Sequence, residues 1–309
     1  MFKKITKALT KPYLVLSIIL NLRLFRLLPD KIYLKIKYKL VIGKKLNLQH
    51  PITFNEKIQW LKLYDRNPIY TKLVDKYEVR KYIEDVIGEE YLIPMIGFYD
   101  SFREIDFNAL PNQFVIKPNH TSGNVFICKD KSKINLNKLK KEVNRWLKRR
   151  YFWIHREWPY KNVKPKLVCE KYMVDESNVE LKDYKIHCFD GVPKMIQVDF
   201  GRFSNHRRNL YDIEWNYIDA SILYPQDPNT EIKKPTNLGK MIEISSILSK
   251  SFPYVRVDLY VIESNIYFGE LTFHHGAGYE KFTPNDLGNK MGDWIKLPMN
   301  NTRTGGNIL

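Results

Sequence analysis

The stretch Tyr254–Gly278, YVRVDLYVIESNIYFGELTFHHGAG, constrains this chain more than any other. Two β-rich runs, Tyr254–Ile262 and Ile266–Phe273, flank the polar turn signal Glu263-Ser264-Asn265, which predicts a hairpin. A turn centred on Ser264 sets Asp258 opposite Glu270, and the two-residue period of a strand puts Arg256, Asp258, Glu270 and Thr272 on one face. Facing carboxylates repel each other. A divalent cation between them relieves this, and hard oxygen ligands suit magnesium; it is expected here on the ground that Arg256 alone does not bridge both acids. The alternative is a solvated hairpin in which Arg256 pairs with the acids, and spacing does not choose between the two.

A chain of 309 residues holds one large domain or two smaller ones, with enough apolar material for a core. Cys128, Cys169 and Cys188 are odd in number, scattered and without zinc spacing, so they read as core thiols of a reducing compartment. The net charge of +17 is concentrated in residues 1–45, which carry +11, and residues 138–166, which carry +9, leaving −3 elsewhere. Two such patches imply an anionic surface or ligand at each place. The apolar run from Tyr13 to Leu20 lacks a small-residue cleavage site. Asn21, Arg23 and Arg26 interrupt it short of the roughly 20 residues needed to span a bilayer. Such a segment suits an anionic membrane surface, or else a helix packed on the domain.

In order, Thr53 or Asn55 caps a helix ending near Asn67-Pro68, and a single second helix follows over Ile69–Val86, carrying Lys76. Phe114–Cys128 reads as strand, small polar loop, strand. Lys117 and the loop Thr121-Ser122-Gly123-Asn124 outline a phosphate cradle, although it lacks the spacing of a P-loop or a dinucleotide site; a plain hairpin is the other reading. Residues 135–150 form a basic helix with Leu136, Leu139, Val143 and Trp146 on its apolar side, and 151–166 is a partly ordered aromatic connection. Strands follow at Leu167–Met173, Tyr184–Phe189 and Pro193–Phe200, with 201–224 irregular. A helix over Leu238–Ser249 and a closing helix over Phe282–Leu297 flank the hairpin. The order of helices and antiparallel strand pairs gives an α+β class, not a doubly wound sheet.

The motifs TFNEKIQWLKLYD, LVDKYEVRKYI, FVIKPNHTSGN, CEKYM, DYKIHCFDG and VRVDLYVIESNIYFGELTFHHGAG, in this order over about residues 45–298, resemble the TupA-like ATP-grasp family named after teichuronopeptide biosynthesis. The resemblance implies two α+β lobes closing on ATP and Mg2+: a basic N-terminal segment 1–50, a first lobe 51–168, a second lobe 169–298 with the metal site, and a loose tail 299–309. It implies that Lys76 and Lys117 reach the nucleotide phosphates, with Thr121, Ser122, Gly123 and Asn124 as the phosphate loop. Glu170, Lys171 and Met173 become the adenine hinge, while Asp183 and Lys185 lie near ribose and phosphates. Asp258 and Glu270 match the magnesium carboxylates and Arg256 a residue steadying transferred phosphate. The family's Glu-x-Asn is here Glu270-Leu271-Thr272, which leaves Thr272 in the place of the third ligand.

The activity so implied is an ATP-dependent carboxylate–amine ligase. Its expected acceptor is a uronic-acid-containing sugar or lipid-linked saccharide of a bacterial surface polysaccharide, amidated by an amino acid or amine. A cytoplasmic protein, peripheral on the inner face of the plasma membrane, is the expected setting. Three rivals remain: a glycosyltransferase of the same pathways, although no Asp-x-Asp is present; a nucleic-acid-binding module suggested by the basic patches, although no nucleic-acid partner is expected; and a nucleotide-binding protein that has lost ligase activity, suggested by Thr272.

Overall fold

Two antiparallel sheets carry the chain in the computed structural model, which describes residues 16–17, 19–174, 181–201 and 205–298. The apolar run expected from Tyr13 begins outside these residues, and so does the tail expected to be loose from 299. Helix α1, Asp30–Ile42, ends at Gly43, whose φ of 84° is the left-handed cap that glycine adopts without strain. Helix α2, Phe54–Tyr64, starts with a capping box: the Thr53 side chain accepts from the Glu56 amide, and the Glu56 carboxylate accepts from the Thr53 amide. This decides between the two predicted caps. Asn55 donates instead to the Glu280 carbonyl at 2.8 Å.

The single helix predicted over Ile69–Val86 is two, α3 at Ile69–Val74 and α4 at Val79–Val86. Between them the Asp75 carboxylate accepts from the Tyr77 amide and from the Asn119 side chain, while the Lys76 amide donates to the Asn119 carbonyl. The helical period runs through this point in sequence, yet tertiary bonds to Asn119, just after β2, take the groups a continuous helix would use.

Strands β1 (Met95–Tyr99), β2 (Phe114–Pro118), β3 (Phe126–Cys128) and β4 (Leu167–Lys171) form the smaller sheet in the order β1-β4-β2-β3. Helix α5, Leu136–Leu147, packs Leu139, Val143 and Trp146 against it, whereas Leu136 in its first turn is exposed. Because β4 pairs with β2 through Lys171, the first sheet extends past the boundary expected at residue 168. Residues 151–166, expected to be a partly ordered connection, are ordered: a short helix α6, Phe152–His155, and the turn Trp158–Lys161 follow one another. Arg156 explains this. Its buried guanidinium pairs with Asp30 at 3.1 Å and lies 4.4 Å and 4.5 Å from the ring centres of Tyr33 and Trp153.

The larger sheet comprises β5 (Asp183–Phe189), β6 (Val192–Phe200), β7 (Arg207–Tyr211), β8 (Tyr217–Ile218), β10 (Tyr254–Ile262) and β11 (Asn265–Thr272), ordered β11-β10-β5-β6-β7-β8. The stretch 201–224, predicted irregular, thus supplies β7, β8 and the short β9 (Ser221–Ile222), which pairs with β12 (Phe282–Thr283). Helix α7, Leu238–Ser249, covers one sheet face with Met241, Ile244 and Leu248 on Ile186, Ile196, Val255 and Val257. Tyr70, Leu73, Val79 and Ile83 of α3 and α4 join this same core, so part of the expected first lobe packs on the second sheet. The closing helix α8 is Asn285–Trp294, shorter than predicted because Phe282 and Thr283 are strand.

Candidate active site

The face of the larger sheet turned away from α7 gathers a cluster of buried charged side chains. Alternation and register bring Glu270 and Thr272 of β11, Arg256 and Asp258 of β10, Lys185 and Asp183 of β5, Asp199 of β6 and Arg208 of β7 onto it. The predicted pairing of Asp258 with Glu270 is present, by a route the sequence does not announce. The turn holds two residues, and the strands stay in step from Ile262↔Asn265 to Leu259↔Phe268; the next pair is Asp258↔Glu270. Gly269 is therefore a bulge residue, without which Glu270 would point to the opposite face. A Cβ there would lie 3.0 Å from both the Asp258 carbonyl oxygen and the Tyr260 ring, so the position suits glycine.

Arg256 sits between the two acids. Its Nε and Nη2 donate to Asp258 Oδ1 and Oδ2 at 2.6 Å each, and Nη2 also donates to Glu270 Oε1 at 3.2 Å and Thr272 Oγ1 at 3.1 Å. This corrects the expectation that Arg256 alone does not bridge both acids. The planar fork grips Asp258 with one edge and still presents an Nη2 hydrogen across the ladder.

On its far side Arg256 Nη1 donates to His275 Nδ1 at 2.5 Å, which leaves the proton on Nε2, 2.8 Å from Glu280 Oε2. Glu280 pairs with Arg208 at 3.2 Å, Arg208 with Asp199 at 2.6 Å, Asp199 with Lys185 at 3.4 Å, and Lys185 with Asp258 at 3.7 Å. The pairs close a ring. Asp183 also contacts the Lys185 ammonium.

The electrostatics follow from this arrangement. Burial pushes the Asp258 carboxyl up to about 6, against the pull of Arg256 and Lys185. Burial alone would also raise Glu270, but Lys76, Arg256 and Lys185 outweigh it and hold that carboxyl at about 2. Glu280 is likewise held at about 2 despite burial, by His275 and Arg208. Asp258 is almost fully enclosed, whereas the Glu270 side chain is 32% exposed.

The predicted phosphate cradle is the loop joining β2 to β3. Lys117 Nζ lies 2.6 Å from Glu170 Oε2 across the β2–β4 ladder, and Arg80 stands 3.9 Å from the same carboxylate. Lys76 Nζ donates to the Thr121 carbonyl at 2.8 Å, and burial lowers its pKa. Asn124 accepts from Arg149 Nη1 at 3.1 Å, which places the C-terminal end of the basic α5 beside the loop. Ser122 and Gly123 are exposed at its tip, with Gly123 at φ +79°. Of the predicted hinge, Glu170 turns its side chain to Lys117, the Lys171 amide donates to the Pro94 carbonyl at 2.9 Å, and Met173 follows half-buried.

The predicted residues thus gather in two groups. Lys117, Glu170, Lys171 and the loop Thr121–Asn124 belong to the smaller sheet; Asp183, Lys185, Arg256, Asp258, Glu270 and Thr272 belong to the larger. Lys76 stands in the turn between α3 and α4, which pack on the larger sheet, and donates to the Thr121 carbonyl of the smaller sheet's loop. Sequence reasoning missed Asp199, Arg208, His275 and Glu280. The alternation in Gln197-Val198-Asp199, continued from Asp183 and Lys185 through the strand pair, was the available signal for Asp199. The first motif, FNEKIQWLKLYD, also acquires a place: Gln59 Nε2 donates to the Ala277 and Gly278 carbonyls at 3.0 and 2.8 Å, and the buried Lys62 donates to Ala277 at 2.5 Å. Helix α2 thereby fixes the loop that carries His275, whose Gly276 and Ala277 are left-handed at φ 55° and 53°.

Among the described residues no group of three or more His, Cys, Asp or Glu side chains stands at metal-holding geometry. The donor set at Arg256 Nη2 is nevertheless of the right kind for magnesium: two carboxylate oxygens and a hydroxyl, from Asp258, Glu270 and Thr272, converge on one cationic atom. Around it Asp183, Asp199, Asp258, Glu270 and Glu280 gather with Lys185, Arg208 and Arg256, and Lys76 adds its charge at Glu270.

The structure thus has a lysine-bearing loop on one antiparallel sheet and a carboxylate-rich face on another, in a mixed α+β chain. Residues 56–296 match the family described as TupA-like ATPgrasp, and the chain belongs to it. No curated protein matches. Among solved structures, the D-alanine–D-alanine ligase from Bacillus anthracis is similar at 20% identity and a TM-score of 0.39, covering 65% of this chain and 57% of that one. The L-amino acid ligase from Bacillus licheniformis is similar at 13% identity and a TM-score of 0.43, covering 83% of this chain and 56% of that one. The chain spans less than two thirds of the length of either ligase.

Proposed function

We propose that this chain is a magnesium-requiring, ATP-dependent ligase that activates a carboxylate as its acyl phosphate and joins it to an amine. The observation that carries the proposal is the convergence of Asp258, Glu270 and Thr272 on a single cationic atom, Arg256 Nη2, with Lys185 beside Asp258 and Lys76 bonded to the Thr121 carbonyl of the loop. Family membership supports the use of ATP. Lys76, Lys117 and the loop Thr121–Asn124 hold the nucleotide phosphates, while Asp183 and the β4 exit at Glu170–Met173 face the nucleoside. Asp258, Glu270 and Thr272 hold magnesium, which when bound neutralises charge on the phosphate oxygens and orients them.

A carboxylate oxygen of the substrate attacks the γ-phosphorus, and the bond to the ADP oxygen breaks. The amine nitrogen then attacks the acyl carbon, the carbon–oxygen bond to phosphate breaks, and the nitrogen sheds a proton to solvent. Throughout, Lys185 and Arg256 stabilise the negative charge that shifts among phosphate oxygens, the work that preorganised cations do in such transfers.

The acceptor class we infer is a uronic acid of a bacterial surface polysaccharide, including saccharide carried on a membrane lipid phosphate, with an amino acid or amine as nucleophile, in a protein of the inner face of the plasma membrane. Incubating the protein with ATP, magnesium and a panel of uronic acids and amino acids, scored for ADP and phosphate release, tests both levels. Release that requires one acid and one amine together supports the ligase. Consumption of a nucleotide sugar without ATP favours a glycosyltransferase instead. Thr272 motivates a second reading, a nucleotide-binding protein without transfer, because its hydroxyl already donates to Glu270 at 2.9 Å; tight ATP binding with no release across the panel would favour it.

A further inference from the structure

Helix α1 has two apolar faces. The inner one buries Tyr33, Leu34 and Tyr38 in a cluster with Tyr279 and Leu46. The outer one carries Ile32 and Ile36, one turn apart and 47% and 39% exposed, with Lys31, Lys35 and Lys39 exposed beside them. A helix that only packed on the domain would need polar residues there. The turn before α1 continues the pattern. Leu24 and Leu27 are 74% and 87% exposed, more open than any other large apolar side chain among the described residues, and Leu22 and the exposed Arg23 adjoin them. The one acid among residues 1–45, Asp30, is engaged by Arg66 and Arg156 at 3.0 and 3.1 Å. The patch is therefore apolar and cationic with no free carboxylate, which an aqueous surface does not call for.

The patch is also fixed to the body of the protein. Arg156 Nη2 donates to the Phe25 carbonyl at 2.9 Å, Tyr33 Oη donates to the Ile154 carbonyl at 2.9 Å, and the buried Lys37 donates to that carbonyl as well. The pinned segment runs on to Glu157, whose carboxylate stands 3.9 Å from Nδ1 of His274, the residue before His275 of the candidate site. Among the described residues no helix is long and apolar enough to cross a membrane.

We propose that the outer face of α1, together with the turn Leu22–Leu27, docks on an anionic lipid bilayer, with Leu24, Leu27, Ile32 and Ile36 entering the headgroup boundary and Lys31, Lys35 and Lys39 meeting lipid phosphates. The charge complementarity selects an anionic membrane over a neutral one, and the mixture of lysine with isolated aliphatic tips suits an interfacial helix better than a tightly packed protein interface, whose core is depleted of lysine. Docking would hold the candidate active site at a set orientation to the surface, because Arg156 and Ile154 belong to the segment that reaches it. The inference concerns the surface alone and stands whatever reaction the chain performs.

Co-sedimentation of the full chain with phosphatidylcholine vesicles, with and without phosphatidylglycerol, tests it. The wild-type protein is expected to pellet with the anionic vesicles and not with the neutral ones. Ile32→Gln with Ile36→Gln, and separately Lys31→Glu with Lys35→Glu, should each lower the partition roughly tenfold or more. These side chains are exposed, so the melting temperatures of both variants should match the wild type, which separates lost docking from lost folding. The proposal is overturned if the wild type ignores anionic vesicles, or if both variants bind as the wild type does. It is overturned too if the wild type dimerises in the absence of lipid and the isoleucine variant does not, which would make this face a contact between copies.

Discussion

The two halves of the candidate site hold their charges in opposite ways. On the larger sheet Arg256, Asp258, Lys185, Asp199, Arg208, Glu280 and His275 close a ring of pairs in which each member is clamped by two others. At the smaller sheet Lys117 meets one carboxylate, Lys76 reaches one loop carbonyl from the α3–α4 turn, and the loop tip at Ser122 and Gly123 is exposed. The ring is preorganised, as groups that stabilise a shifting charge must be. The lysine loop keeps few partners and so has few to give up when phosphate arrives. Substitutions in the ring should therefore act on metal-dependent chemistry and on stability, and substitutions in the loop on nucleotide affinity with little effect on stability.

The strongest test of the contrast is Glu270→Gln. It removes a charge that Arg256 Nη2 holds at the partly exposed edge of the ring, and with it a proposed metal ligand, yet leaves the Arg256 fork on Asp258 intact, so the free protein should lose only a few degrees of melting temperature. Magnesium-dependent ATP turnover should fall at least about a hundredfold. The additional melting stability conferred by magnesium plus ATP, which reports affinity for the folded state, should shrink with it. A mutant that melts lower but keeps the full magnesium response would instead make this a salt-bridged hairpin and nothing more.

Lys117→Gln addresses the other half. A glutamine can still donate to Glu170, so the buried carboxylate is not stranded, while the charge toward phosphate is gone. A charge-assisted hydrogen bond contributes roughly 1.5–3 kcal/mol, which predicts a nucleotide Kd raised about tenfold to a hundredfold at an unchanged melting temperature. Calorimetric titration with ATP that gives the wild-type value would remove Lys117 from the phosphate site.

How much of this was legible in sequence depended on whether local pattern or tertiary contact decided the outcome. The polar face of β10 and β11 could be read from alternation and the α+β class from the order of elements, whereas Asp183 and Lys185 of β5 came from the family resemblance. The helix over Ile69–Val86 could not be split by reading, because its apolar period is continuous and the break comes from Asp75 and Asn119, far apart in the chain. The ordered path of 151–166 rests on Arg156 reaching Asp30 and Tyr33, a contact across more than a hundred residues that composition does not encode. The pairing of Asp258 with Glu270 was read from a turn centred on Ser264, but it arises from a two-residue turn and a bulge at Gly269 whose shifts sum to the same register. His275 and Glu280 lay inside or beside a motif already noted; what was missing was the left-handed turn at Gly276 and Ala277 that folds them back onto Arg256.

Acid sharpens the comparison further, through Glu280. Its folded pKa of about 2 lies below the ordinary carboxylate value, so its stabilising contribution is fully present above about pH 4.3 and is lost as the pH falls toward 2. Glu280→Gln has nothing to protonate there. Between pH 4.5 and pH 2.5, by this linkage, its melting temperature should fall less steeply than that of the wild type, the full linkage amounting to on the order of 3 kcal/mol. Parallel melting curves for the two proteins would place Glu280 outside the ring's electrostatics.

The smallest expected effect is at the loop tip. Gly123 has φ +79°, in the region that favours glycine, and a Cβ added there would meet nothing within 4 Å. Any cost of Gly123→Ala is therefore backbone strain alone, about 1 kcal/mol. An exposed tip can relieve that strain locally by leaving the left-handed conformation, so the melting temperature should move by no more than a degree or two. The relaxed loop no longer presents its amides in the same cradle, however, and ATP affinity should drop several-fold, less than for Lys117→Gln. The comparison of the two halves is at stake in this result. If Gly123→Ala lowers the melting temperature as much as Glu270→Gln does, the loop is as tightly clamped as the ring, and the division between a preorganised acid face and an adaptable lysine loop fails.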